Sequence, residues 1–129
     1  MTDEQTALAR RAVACKGWRW MPGAATDSKF ARIVATDAEG APCAAEEGAS
    51  EDDCYAVWLD GVPVLPDLTD PATLGCLLAL VREAWGDPFL CPAADRETGW
   101  WLDGYAAVDY LQSYRSEAEA LVAALEGAP

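Results

Sequence analysis

The chain has 129 residues, 52% of them apolar, with no histidine and a formal net charge of −13. That is enough apolar material for one packed domain, too little length for two, and too hydrophobic for wholesale disorder. The net field repels phosphate, which excludes ordinary DNA or RNA binding. The missing histidine removes the commonest general base and every Ser–His or Cys–His nucleophile pair.

Residues 3–15 read as a first helix, capped by Thr2, with Asp3 and Glu4 in the first turn and Leu8, Ala12 and Cys15 on one face. Lys16 and Gly17 end it. Residues 18–21 are expected to run extended into the Pro22-Gly23 turn. A strand follows over 30–36, with Phe30, Arg32 and Val34 on one face and Ala31, Ile33 and Ala35 on the other. Residues 37–40 form a turn, and 41–53 fit no period. Five acids between Glu46 and Asp53 make that piece a solvated loop.

Residues 54–59 alternate as a strand, with Tyr55, Val57 and Leu59 against Cys54, Ala56 and Trp58. Asp60-Gly61 reads as a hairpin turn into a partner strand over 62–65, which Pro63 moves towards a sheet edge. The second helix runs from Pro71, behind the N-cap Asp70, to about Trp85 before Gly86. Its apolar stripe is Leu74, Leu77, Leu78, Val81 and Trp85. Residues 100–102 read as a strand, and 105–114 as strand or short helix. Ser116 to Glu119 is a capping-box sequence for a last helix that buries Leu121, Val122 and Leu125 and stops at Gly127. The expected class is α+β: one domain over 1–129, a small antiparallel sheet with helices packed on one face, and an acidic variable loop at about 37–53.

Charge is unevenly spread. Residues 1–32 carry six Lys/Arg against three acids, 33–81 carry ten acids and no cation, and 82–129 carry three Arg against nine acids. The five cysteines show no CxxC and no regular spacing, so neither a zinc site nor a disulfide framework is indicated. The longest apolar run, 74–81, is well short of the ~20 residues that span a bilayer. The N-terminus lacks the basic-then-apolar form of a secretory signal. The expectation is a cytosolic protein with no membrane, metal or cofactor.

The site expectation rests on Trp18-Arg19-Trp20 in the basic first third. In an extended segment the two indoles share a face, and Arg19 points away. A base stacked on an indole gains ~1–3 kcal/mol, and an arginine matches phosphate bidentately. Trp18, Arg19, Trp20 and Arg32 are therefore the candidate ligand-binding residues for a nucleotide-like anion, with Trp100 or Trp101 as a second wall. The competing reading packs these indoles in the core and pairs Arg19 with an acid. Asp67 is the free carboxylate of its segment, since Asp70 is committed as N-cap. No residue is assigned a catalytic role.

Three segments carry a resemblance: Gly17-Trp-Arg-Trp-Met-Pro-Gly23, the run from Leu65 through Asp67, Asp70 and Pro71 to Trp85, and Ser116 to Leu125. Together, about half the chain resembles a family of small proteins encoded by tailed bacteriophages and prophages, which brings no assigned reaction with it. The resemblance implies the cytoplasm of a host cell and an accessory role, such as countering host defence. Three functions are then expected in turn: sequestering a nucleotide-like signal, as a homo-oligomeric sponge; an acidic inhibitor that mimics nucleic acid on a basic host protein through residues 37–60; and a metal-dependent, carboxylate-only nucleotide hydrolase.

Overall fold

The computed structural model describes residues 2–27, 32–45, 56–59, 64–104 and 113–129. In chain order the elements are α1 (Asp3–Ala14), β1 (Arg32–Thr36), β2 (Pro42–Ala45), β3 (Ala56–Trp58), α2 (Pro71–Trp85), β4 (Cys91–Asp95), β5 (Gly99–Asp103) and α3 (Glu117–Glu126). The fold is α+β, with a three-stranded antiparallel sheet in the order β1-β2-β3 and a separate β4-β5 hairpin.

Local chemistry sets the helix ends. Thr2 Oγ1 accepts from Gln5 N–H, and Gln5 Oε1 accepts from Thr2 N–H, so α1 opens with a closed capping box. Asp70 caps α2, Pro71 occupies its first turn, and Gly86 closes it in the left-handed conformation at φ 64°. Ser116 Oγ accepts from Glu119 N–H and opens α3. Only this half of the expected box is seen.

Two apolar clusters result. The larger joins the three helices to the hairpin through Ala9, Ala12, Leu77, Leu80, Val81, Leu90, Leu102, Leu121, Val122 and Leu125. α3 is its hub, packing on α1, α2, β4 and β5. The smaller cluster is Ala24, Ile33, Ala44 and Leu59, with Trp20, Val64 and Cys76 around it. The stripe of α2 is confirmed at Leu77 and Val81 and half-buried at Leu74, Leu78 and Trp85, with Leu80 and Thr73 added. Its main neighbour is α3 rather than the strand at Val57, because Leu121, Val122 and Leu125 offer the larger apolar surface.

Two sheet expectations are corrected. β1 does not alternate throughout. Ile33 pairs with Ala44 and Ala35 with Cys43, so Val34 is an extra residue in a bulge. The bulge puts Ile33 and Ala35 on opposite faces. The run 41–53, which fits no period, contains β2 at 42–45. β2 is the central strand, and its Pro42, Cys43 and Ala44 are buried. Its short side chains carry little pattern. The acidic run 46–53, the Asp60-Gly61 turn and residues 105–112 lie outside the described residues.

Asp70 joins the clusters. Its Oδ2 accepts from Thr73 N–H (2.9 Å) and Thr73 Oγ1–H (3.0 Å), and both oxygens accept from Arg32 (3.0 Å each). Thr73 is fully buried, and its Oγ1 accepts from Ala25 N–H at 2.8 Å. Arg32 Nη1 also donates to Gly23 O at 2.6 Å. The hydrogen bond from Arg32 is the main reason the Asp70 carboxyl is lowered from 3.8 to about 2.

A folded-state pKa below the unfolded value means the interaction stabilises above about pH 4 and is lost as pH falls towards 2. Asp70→Ala is expected to cost about 2 kcal/mol in urea unfolding at neutral pH. Asp70→Asn is expected to flatten the stability curve over that acid window; a wild-type slope there would refute the Asp70 assignment.

Two glycines give opposite expectations. Gly75 lies on the exposed side of α2 with open space where a Cβ would sit, so Gly75→Ala is expected to stabilise by ~0.5–1 kcal/mol. Gly99 has φ 89°, and a Cβ there would lie 2.6 Å from Tyr114 O. Gly99→Ala is expected to destabilise by about 2 kcal/mol or more. Thermal melts of both variants check the helix surface and the seating of residues 113–114 on β5.

Candidate functional site

Trp18 and Trp20 meet edge to face, with ring centroids 5.4 Å apart and planes at 80°. They belong to different clusters: Trp18 packs on the helical core and Trp20 on the sheet core. The pair is a strap across the two, in a geometry that aromatic quadrupoles favour. Trp18 Nε1 is buried and has no partner among the described residues.

Arg19 Nη2 contacts Glu83 Oε2 at 2.6 Å. The hydrogen bond raises the Arg19 guanidinium above its ordinary value and lowers the Glu83 carboxyl. Arg32 is held by Asp70, and that hydrogen bond raises it likewise. Asp70 caps the start of α2, whereas Glu83 lies in its last turn, so the two guanidinium heads are about 20 Å apart along the axis. They do not converge on one anion.

Trp100 packs on the helical core, and its backbone exchanges hydrogen bonds of 2.9 and 2.8 Å with Tyr114. Trp101, next on β5, is half-buried. No ring contact among the described residues joins either to Trp18 or Trp20. Of the six residues read as ligand-binding, the structure thus brings Trp18 and Trp20 together and leaves Arg19, Arg32, Trp100 and Trp101 elsewhere. Asp67 Oδ1 accepts from Thr69 N–H (3.0 Å) and Thr69 Oγ1–H (2.6 Å), a local turn before α2. Among the described residues no three acids or thiols gather as a metal site would require.

The outward face of the three-stranded sheet was not singled out from the sequence. Ile33, Ala44 and Val57 share one cross-strand row, and Ile33 and Ala44 lie in the core. The adjacent row is Ala35, Cys43 and Trp58. Trp58 is 51% exposed and the bulged Val34 48%. The β1–β2 turn brings the exposed carboxylates Asp37 and Glu39 to one end of β1, and Asp37 Oδ1 holds the turn by accepting from Glu39 and Ala41 N–H. The signal was present, because Trp58 alternates with Leu59, which is buried in the sheet core. A half-exposed indole is the kind of side chain that anchors protein contacts.

Comparison with family models, curated proteins and solved structures yields no match. Among the described residues no helix is long and apolar enough to cross a membrane.

If the Arg19–Glu83 pair is an ordinary exposed ion pair, Arg19→Glu should lower stability by less than ~1 kcal/mol. Chemical denaturation at low and high salt measures this. A loss several times larger would show that Arg19 holds the strap in place.

Proposed function

We propose that this protein is a non-catalytic acidic module that docks on a basic surface of another protein through the outward face of its three-stranded sheet. Trp58 is the anchor. The observation that carries this reading is the half-exposed indole of Trp58 on β3, within a stretch from 33 to 81 that contains no lysine or arginine. Trp is the residue type most enriched in interface hot spots. A field of one sign steers and selects a partner of the other. The resemblance to phage accessory proteins points to a bacterial host protein as the target, in the host cytoplasm, with inhibition as the outcome.

A second reading retains a nucleotide-like ligand, and with it the sponge. The buried Nε1–H of Trp18, without a partner among the described residues, favours it, because such a donor costs ~1–3 kcal/mol until an acceptor arrives. Arg19 is the cation best able to serve that ligand, since its partner Glu83 is exposed. Arg32 is not, because releasing it uncovers the cap of α2.

Trp58→Ala separates the readings. Tagged wild type and variant are recovered from host cells over a series of salt concentrations. The docking reading expects one basic protein to co-purify with wild type, to be released by salt, and to be lost from Trp58→Ala while the far-ultraviolet spectrum is unchanged. Equal recovery by both proteins would overturn it. The ligand reading expects titration calorimetry to show cyclic dinucleotides or mononucleotides binding wild type and Trp58→Ala alike but not Arg19→Glu.

A further inference from the structure

The indole of Trp58 is uncommitted. It is 51% exposed, and among the described residues it makes no hydrogen bond and no ring contact, and no cation of the chain stacks on it. Arg32 is the one lysine or arginine on the three strands of this sheet, and it is held by Asp70 and Gly23 O.

Register fixes where the indole stands. Trp58 pairs with Cys43, and Leu59 N–H donates to Pro42 O at 2.9 Å. Pro42 pairs with Thr36, so Trp58 lies one residue from the end of the sheet that carries the β1–β2 turn. Asp37 N–H donates to Ala41 O at 3.0 Å and continues the ladder. Asp37 follows Ala35 by two residues, so it leaves the sheet on the face of the Ala35, Cys43 and Trp58 row. Asp37 Oδ1 takes both hydrogen bonds of the turn. Among the described residues, Asp37 Oδ2 and the exposed Glu39 carboxylate take none. Two strand spacings, about 10 Å, separate β1 from β3. The indole and the turn acids are thus within the span of one short peptide segment.

Charge selects the occupant. An apolar side chain would cover the indole and crowd the open carboxylates without neutralising them. A cation suits both. Arginine suits them better than lysine, because its planar guanidinium stacks on an indole and keeps its in-plane N–H groups free to donate.

We infer that Trp58 receives an arginine side chain of the partner, stacked on the indole, with a second basic residue of the same segment at the Asp37–Glu39 turn. This rests on the docking reading above and names the chemistry that the sheet face recognises.

Short peptides of equal length, carrying two arginines, two lysines or two glutamines, are titrated into the isotope-labelled full chain at low salt. The readout is the indole N–H resonance of Trp58, identified by its loss in Trp58→Phe. The arginine peptide is expected to shift this resonance and to bind about two- to fivefold more tightly than the lysine peptide, with the glutamine peptide inert. Trp58→Leu is expected to erase the preference. Asp37→Asn combined with Glu39→Gln, which retains an acceptor for the turn, is expected to weaken both basic peptides and keep the preference. Equal affinity for arginine and lysine, or a preference that survives Trp58→Leu, would overturn the arginine assignment and leave the docking surface standing. A Trp58 resonance that responds to neither basic peptide would overturn the docking reading as well.

Discussion

One carboxylate sets how the parts of this protein sit together. Asp70 caps α2, and with the same two oxygens it fixes Arg32 at the start of β1 and the hydroxyl of Thr73. Thr73 in turn binds the backbone of Ala25 from full burial. The helical core and the sheet core are each small. They are linked on one side by this chain of hydrogen bonds and on the other by the ring contact of Trp18 with Trp20. A charged group accepting several hydrogen bonds is worth more than a neutral one and fixes geometry as well. The sheet is thereby pinned by its β1 edge and its inner row, while Val34 and Trp58 stand half in water.

The same pairing explains the electrostatics. The basic first third of the chain looks like a cationic site in sequence. In three dimensions Arg11, Arg19 and Arg32 each meet a carboxylate that lies far along the chain: Glu126, Glu83 and Asp70. These cations are used internally, and apart from Asp70 the acids between 33 and 81 have no lysine or arginine in their own stretch of chain. A protein organised this way presents negative charge and an apolar anchor.

The sequence made the helices legible because their signals are local. Asp70-Pro71 and Gly86 bound α2 at the residues where it starts and stops, and the capping serine of α3 lies one residue before it. The β5 strand was also legible, from paired tryptophans behind a glycine. What stayed hidden depends on partners distant in the chain. Pro42-Cys-Ala-Ala has no pattern of its own and becomes the central strand only because β1 and β3 flank it. The bulge at Val34 follows from register, which one strand alone cannot specify. Trp18, Arg19 and Trp20 are a conspicuous motif whose neighbours turn out to be two cores and an acid sixty-four residues away. The anchor Trp58 was visible as an alternating residue, but burial and exposure look alike until the inner row is known.

Photo-cross-linking in host cells from a photoreactive amino acid at position 58, compared with one at position 19, tests the central claim most directly. The account expects position 58 to capture a discrete basic protein and position 19 to capture none. Capture from position 19 with nothing from position 58 would contradict it, and would place the functional surface on the tryptophan strap instead.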